Sequence, residues 1–178
     1  ILFHISEYCL IAYLLDKGAD AFNILSLTFT NKAAREMKER VGRIVGDGEA
    51  KNLWMGTFHS VFAKILRIEA ERLGYPTNFT IYDADDSKKL ITTIIKEKQL
   101  DKDIYKAKSV SSRISSLKNN LITPKAYFQN GELQAQDSTA KMPMFGEIYQ
   151  AYTERCFRAG AMDFDDLLTN VVRLFRQH

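Results

Sequence analysis

The sequence predicts a mostly α-helical protein that contains a small piece of parallel α/β structure. Two short apolar runs that favour β-strands, residues 23–29 and 53–58, are each followed by a segment of helical period. Parallel strands need a crossover connection, and a helix usually forms it, so this order predicts two neighbouring parallel strands. From about residue 74 onward almost every segment has helical period, which predicts that the rest of the chain is helical.

Composition indicates an ordinary globular protein. The chain has 178 residues, of which 46% are hydrophobic and 26% charged, and its net charge of +3 does not by itself indicate a nucleic-acid partner. Cys9 and Cys156 are far apart, which predicts neither a zinc site nor a disulfide framework and fits a reducing, cytoplasmic setting. The apolar stretch at residues 1–15 lacks the length of a membrane span and the basic start of a signal peptide, so we expect it to be buried core.

The α/β part is predicted from a change of period. Residues 23–29 form a β-favouring run that we expect to be buried on both faces. The helix after it carries an apolar stripe, and glycines at 42, 46 and 48 weaken and end it. A second helix follows residues 53–58. The stripe of the first helix comprises Ala33, Met37, Val41 and Ile44, and that of the second Phe62, Ile65, Leu66 and Leu73.

Capping signals divide the helical part of the chain. Asp83, with Asp86 three residues later, has the pattern of an N-terminal cap, and Thr123-Pro124 has that of a cap followed by a first helical residue. Residues 129–141 are polar and mixed, with a glycine as a stop, and are predicted to form a loop.

Two further helices are predicted near the end of the chain. Pro143 opens the first and Gly160 closes it, and Asp163 caps the second. Asp163, Asp165 and Asp166 are spaced closely enough to bind Mg²⁺, but at helical spacing before an apolar run they also fit a cap and its first turn. The side chains expected to face inward from the first helix are Phe145, Tyr149, Tyr152 and Cys156.

Polar and aromatic residues follow the first predicted strand: Thr28, Phe29, Thr30, Asn31 and Lys32. In open α/β sheets ligands bind at this edge, and the start of a helix offers unpaired N–H groups. Hydroxyl, amide and ammonium groups can hold a phosphate there, while a base can stack on Phe29. The alternative is that Thr30 or Asn31 is an ordinary cap and Phe29 a core residue.

The end of the second predicted strand repeats this arrangement with Gly56, Thr57, Phe58, His59 and Ser60. Two such edges side by side would form one groove with polar groups and stacking surfaces, as single-strand binding channels do. A catalytic role for His59 is the alternative, but the sequence specifies no nucleophile with a carboxylate partner for it.

Positive charge is concentrated between Lys88 and Lys125. This segment contains ten basic and three acidic residues, a local charge of +7. We therefore expect a basic surface there, which would suit a nucleic acid, although a solvated helical face accounts for the same charges.

Four segments in order resemble motifs of UvrD/Rep-type superfamily 1 DNA helicases. They are residues 24–37, residues 54–67 with the string Trp-Met-Gly-Thr-Phe-His-Ser, residues 79–83 and residues 162–168. The resemblance implies a 3′-to-5′ ATP-dependent DNA helicase that holds single-stranded DNA. The DNA contacts it implies are Phe29, Asn31, Lys32, Thr57, Phe58 and His59.

The resemblance also implies a division of the chain. Residues 1–73 would belong to the first RecA-like motor lobe, a P-loop NTPase fold, and residues 163–178 would be the helix that returns to it. Residues 74–162 would form an inserted all-helical subdomain whose basic segment faces the duplex or the incoming strand. The partners it implies are DNA and the remaining helicase lobes, without a membrane.

The chain departs from the family in its nucleotide-binding residues. None of its nine glycines precedes a lysine and it contains no Asp-Glu pair, whereas family members carry a P-loop before the matching region and an Asp-Glu pair after it. We therefore expect ATP and Mg²⁺ to bind the intact protein, and no catalytic, cofactor or metal residue in this chain. Residues 1–10 also fit the family poorly. There are two alternatives to a fragment of a DNA helicase: a stand-alone protein-interaction module, and part of a helicase-nuclease.

Overall fold

The computed structural model describes the backbone of residues 2–177 and the side chains of residues 9–46 and 48–177. The chain divides into two compact units, residues 1–65 and residues 66–178. It is mostly helical with short parallel strands, as predicted. None of the helices between residues 2 and 177 combines the length and apolar character that crossing a membrane requires.

The first unit contains the predicted parallel pair. Strands β1 and β2 run in parallel, with Thr28 opposite Thr57 at their carboxyl ends. A helix follows each strand directly, which confirms the predicted strand-to-helix order. The elements are α1 (Leu2–Asp16), β1 (Leu25–Thr28), α2 (Asn31–Val45), α3 (Asp47–Asn52), β2 (Trp54–Thr57) and the start of α4 (Phe58–Glu69).

The burial of the first unit differs from the prediction at two places. Leu25 is 51% exposed and residues 26–28 are half-buried, so β1 is not buried on both faces. The sheet described in residues 2–65 has two strands, which leaves part of β1 uncovered. In α1, Ile11 is buried but Leu10 and Tyr13 are exposed, so the expectation of a buried core is wrong for these two residues. The side chains of residues 1–8 lie outside the described part.

The core of the first unit joins α1, α2 and β2. Met37 and Val41 of α2 pack with Ile11 and with Met55 of β2. Ile44, which was predicted on the same stripe, is 52% exposed because it lies in the last turn of α2. The helix ends at Val45, where the next residue is a glycine with a positive φ of 88°.

The second unit is helical around an aromatic core. Its buried residues include the four predicted to face inward from α9, which lie in one cluster with α5 and α6. Two strands of two residues each were not predicted: β3 pairs in parallel with β4. The elements are β3 (Thr80–Ile81), α5 (Ala84–Glu97), α6 (Ala107–Asn119), α7 (Pro124–Phe128), α8 (Gly131–Thr139), α9 (Phe145–Arg158), β4 (Ala161–Met162) and α10 (Phe164–Gln177).

Two predicted caps are confirmed. Asp83 Oδ1 accepts a hydrogen bond from the backbone N–H of Asp86 at 2.8 Å, and the Asp86 carboxylate accepts one from the N–H of Asp83 at 3.3 Å, which forms a capping box. Thr123 Oγ1 accepts one from the N–H of Ala126 at 3.2 Å, and Pro124 is the first residue of α7. Each cap satisfies N–H groups that have no partner within the helix.

The prediction of a loop over residues 129–141 is wrong, because α8 occupies most of it. Gly131 is the first helical residue rather than a stop, and the side chain of Asn130 caps the helix. Leu133 packs against the core of the second unit, and a polar anchor also holds the helix. Asp137 is buried and accepts hydrogen bonds from Arg113 Nε at 3.0 Å and from the Tyr127 hydroxyl at 2.9 Å.

Candidate nucleic-acid interface

The ends of β1 and β2 lie side by side. Because Thr28 and Thr57 are paired, Phe29 and Phe58 leave the sheet at the same edge. Their ring centroids are 5.2 Å apart at an interplanar angle of 42°. Phe62, one turn further along α4, meets Phe58 edge-on at 5.9 Å. The predicted adjacency of the two strand ends is therefore confirmed, and three aromatic rings follow one another there.

Phe29 is the most exposed large apolar residue of those described, at 88%. The alternative that it is a core residue is therefore wrong. An exposed ring is costly in water unless a partner covers it, and its contact with the half-buried Phe58 fixes where the ring lies. The exposed face of the Phe29 ring is a flat apolar surface of the kind on which nucleic-acid bases stack.

Polar groups flank this aromatic surface at the start of α2. Thr30 has an extended backbone, and its Oγ1 accepts a hydrogen bond from the N–H of Ala33 at 3.1 Å, so it caps the helix as the alternative interpretation predicted. Asn31 and Lys32 are exposed in the first turn, and Thr28 is half-buried. The Thr30 hydroxyl, the Asn31 amide and the Lys32 ammonium group lie at the N-terminus of α2. The partial positive charge of a helix N-terminus favours the binding of an anion there.

The start of α4 is organised by close backbone packing. A Cβ atom at Gly56 would lie 2.6 Å from Ser60 Oγ and 3.1 Å from a Val61 methyl carbon, so glycine lets the helix begin directly against β2. Thr57 is buried, and its Oγ1 accepts a hydrogen bond from the N–H of Ser60 at 3.3 Å. A direct DNA contact from Thr57 stays a prediction. His59 is exposed beside it.

The basic segment is less basic at its surface than its sequence suggests. Lys118 is 5% exposed, so its predicted place on a basic surface is wrong. Lys88, Lys98 and Arg113 each form an ion pair with an acidic side chain of the same unit. Among the side chains that the structure describes, no acidic group forms an ion pair with six exposed lysines: Lys89, Lys96, Lys102, Lys106, Lys108 and Lys125.

The aspartates at the start of α10 form a buried cluster with Lys118. Asp163 Oδ1 accepts a hydrogen bond from the N–H of Asp166 at 2.8 Å, and the Asp166 carboxylate accepts one from the N–H of Asp163 at 3.1 Å, which confirms the predicted cap. Lys118 Nζ lies 2.7 Å from both carboxylates. The Tyr152 hydroxyl also donates to Asp163 at 2.8 Å. The sequence could not show that a lysine 45 residues away would neutralise this cluster.

Charge and burial shift the pKa values of this cluster in opposite directions. Burial and the neighbouring Asp163 raise the pKa of Asp166 to about 6, against the effect of Lys118. Although burial opposes it, Lys118 and the hydrogen bonds from Asp166 and Tyr152 lower the pKa of Asp163. Burial also opposes the charged form of Lys118, but Asp166 and Asp163 raise its pKa above the usual value. The lysine therefore stays charged.

The residues present do not fit ATP with Mg²⁺. A P-loop needs glycines followed by a lysine, and the sequence contains no Gly-Lys pair. Across the described residues, no three side chains of His, Cys, Asp or Glu are grouped so that they could hold a metal ion. The carboxylates of Asp163 and Asp166 are engaged with Lys118.

A model of the UvrD/REP helicase N-terminal domain matches residues 8–178. The chain belongs to this family. It is 42% identical over 168 residues to the ATP-dependent DNA helicase PcrA of Staphylococcus aureus and, to the same extent, to that of Staphylococcus epidermidis. The matched region covers 94% of this chain but only 22% of each relative. The resemblance stated from the four sequence segments is thus confirmed.

Proposed function

We propose that this chain forms part of the first motor lobe of an ATP-dependent DNA helicase that translocates 3′ to 5′ on single-stranded DNA and unwinds duplexes. In this proposal residues 1–73 and the return helix at 163–178 belong to the lobe, and residues 74–162 are its helical insertion. Family membership and the helicases to which the chain is similar support it. The partners are DNA at a duplex junction and the remaining lobes of a cytoplasmic protein.

The aromatic pair at the strand ends carries the DNA-binding part of the proposal. Phe29 is 88% exposed and contacts Phe58, so one base can stack there without any change in the core. Asn31 and Lys32 lie beside it at the start of α2, where a phosphate is favoured. The remaining proposed contacts are Thr28, Thr30, Thr57 and His59.

ATP and Mg²⁺ act in this proposal only in the intact protein. We expect no ATP hydrolysis from the 178-residue chain, since its residues do not form a phosphate cradle. In the intact protein, strand displacement on duplexes with a 3′ or a 5′ single-stranded tail tests the polarity. Unwinding of the 5′-tailed duplex alone would contradict it.

Fluorescence anisotropy with a labelled oligothymidine tests the DNA-binding surface directly. At low salt we expect the chain to bind, and Phe29→Ala to weaken binding roughly tenfold, because base–aromatic stacking contributes about 1–3 kcal/mol per base. Phe22→Ala is the matched control, since Phe22 is 60% exposed but precedes the amino end of β1. Equal losses in the two variants would refute the assignment of Phe29.

The salt dependence of the same titration tests the role of Lys32. Each phosphate neutralised by a lysine releases counterions, so Lys32→Ala should reduce the slope of log affinity against log salt by about 1. Glu39→Gln, at an exposed position further along α2, is a charge-changing control that should leave the slope unchanged. Binding that does not depend on salt would contradict a phosphate contact.

A further inference from the structure

The second unit contains a cavity of about 500 Å³ beside α10. Its volume is within the range of sites that hold small molecules, roughly 300–1,000 Å³. It is bounded by α9, α10 and the segment that joins α6 to α7. It belongs to the second unit alone, and the proposed DNA surface at the ends of β1 and β2 does not use it.

The walls of this cavity are largely aromatic and aliphatic. Tyr75 and Phe157 stand edge to face, with ring centroids 4.9 Å apart, and Tyr149 adds a third ring. Phe157 remains 46% exposed although it lines the cavity. Walls of this kind favour a flat apolar body.

Leu121 lines the same cavity in an unusual backbone conformation. Its φ is +58°, a left-handed conformation that a bulky side chain rarely adopts, and its side chain is 42% exposed. It follows from the way α6 ends: the N–H of Ile122 donates to the C=O of Leu117 at 2.9 Å and the N–H of Leu121 to that of Lys118 at 2.8 Å, a C-terminal motif in which this position is usually a glycine. The conformation places an exposed leucine at the cavity instead of in the core.

The charged residues that line the cavity carry a net charge of +1, from Lys118, Arg173 and Arg176 against Glu154 and Asp166. Lys118 is neutralised by the carboxylates of Asp163 and Asp166, and Glu154 lies 3.6 Å from Arg158. Arg173 and Arg176 also line the cavity and are exposed. Arg173 donates to the neutral side chain of Gln177, and no described carboxylate is paired with either arginine.

We propose that this cavity binds an organic anion with a flat apolar body. The ring lies among the aromatic walls and Leu121, and the anionic group is held by Arg173 and Arg176. Apolar walls with a few convergent charged groups are the general design of small-molecule sites, and guanidinium groups suit carboxylates, sulfonates and phosphates.

Fluorescence titration of the 178-residue chain with 1-anilinonaphthalene-8-sulfonate tests the proposal. We expect one saturable site per chain and at least tenfold weaker binding of the uncharged analogue N-phenyl-1-naphthylamine. Arg173→Gln with Arg176→Gln should weaken the sulfonate at least tenfold and leave the analogue unchanged. The matched control is Arg158→Gln, which removes an exposed arginine that does not line the cavity.

Leu121→Gly separates binding from folding. Glycine adopts the left-handed conformation without strain, so this variant should keep or raise the melting temperature while it weakens the sulfonate several-fold. Lys141→Gly is its control, since Lys141 has a φ of +62° but does not line the cavity.

Competition by 1-naphthoate or by ATP would identify an aryl carboxylate or a nucleotide as the anion, and either would support the proposal. Equal affinity for the charged and uncharged probes, or no effect of the arginine and leucine variants, would overturn it.

Discussion

At the turn from β1 into α2, Thr30 caps the helix while Phe29 and Lys32 remain exposed. At the turn from β4 into α10, Asp163 caps the helix in the same way, but it is buried with Asp166. The two turns belong to different units and share one local design, in which a polar side chain after a strand accepts a hydrogen bond from a helical N–H group. They differ in what surrounds the cap.

This difference shows that a capped strand end is not in itself a binding site. Around Asp163 and Asp166 the charges are satisfied by Lys118 at 2.7 Å from each carboxylate. Around Thr30, an exposed ring and an exposed ammonium group remain available to a ligand. The exposure of Phe29 and Lys32, in contrast to the burial of Asp163 and Asp166 against Lys118, distinguishes the candidate interface from the structural cluster.

The largest expected effect is at Lys118. Lys118→Met would leave two buried carboxylates without their counterion, and breaking a buried pair in this way costs about 3–5 kcal/mol of unfolding free energy. Urea denaturation of the 178-residue chain measures it. Lys125→Met, at an exposed lysine, is the control and should change the unfolding free energy by less than about 0.5 kcal/mol. Equal losses of unfolding free energy in the two variants would contradict the buried ion pair that distinguishes the turn into α10 from the turn into α2.

The next effect is the pH dependence of the same cluster. Because the pKa of Asp166 is raised to about 6, above that of an unfolded aspartate, its contribution to stability is complete below about pH 4 and is lost as the pH rises through 6. Between pH 4 and 7 the unfolding free energy of the wild-type chain should therefore fall by about 2–3 kcal/mol relative to that of the Asp166→Asn variant. Asp163, whose pKa is lowered, acts in the opposite sense and only below about pH 4. A difference that does not change with pH would contradict the account.

A smaller effect tests the turn from β2 into α4, which depends on close packing instead of charge. Gly56→Ala should destabilise the chain by about 1–3 kcal/mol, because the new methyl group would meet Ser60 Oγ at 2.6 Å. Ser60→Ala removes that atom, so the double variant should recover part of the loss. Additive losses in the double-mutant cycle would show that this contact is not the cause.

The smallest expected effect is a gain in stability when Thr153, in α9 of the second unit, is replaced. The hydroxyl oxygen of Thr153 is buried and has no hydrogen-bond partner among the residues that the structure describes. Thr153→Val replaces the hydroxyl with a methyl group of similar size and should stabilise the chain by about 1 kcal/mol. Thr169→Val is the comparison, since the Thr169 hydroxyl has a carbonyl partner at 3.4 Å. A higher melting temperature is expected only for the first variant.

The sequence predicted those elements that local signals specify. Asp83 with Asp86 and Thr123 with Pro124 marked helix starts that the structure confirms. The helix α8 was missed because its anchor, Asp137, is polar and its partners lie in other helices. Polar anchoring gives no periodic pattern, so hydrophobic period cannot find such a helix.

The candidate interface was also predictable in part. Parallel strands place their carboxyl ends together, so the adjacency of Phe29 and Phe58 followed from the strand order. The cap at Thr30 was one of the two sequence interpretations, but the burial of Thr57 did not follow from the sequence, since it depends on how the following helix packs. Likewise the pairing of Lys118 with Asp163 joins residues far apart in sequence, and charge counts treated that lysine as surface.

An NMR titration of the ¹⁵N-labelled chain with a short oligothymidine tests the central claim most directly, because it compares both turns in one experiment. We predict that the largest amide shifts fall on residues 28–32 and 56–60, and that residues 161–166 remain unchanged. Shifts concentrated on residues 161–166, with Phe29 and its neighbours unaffected, would contradict the account.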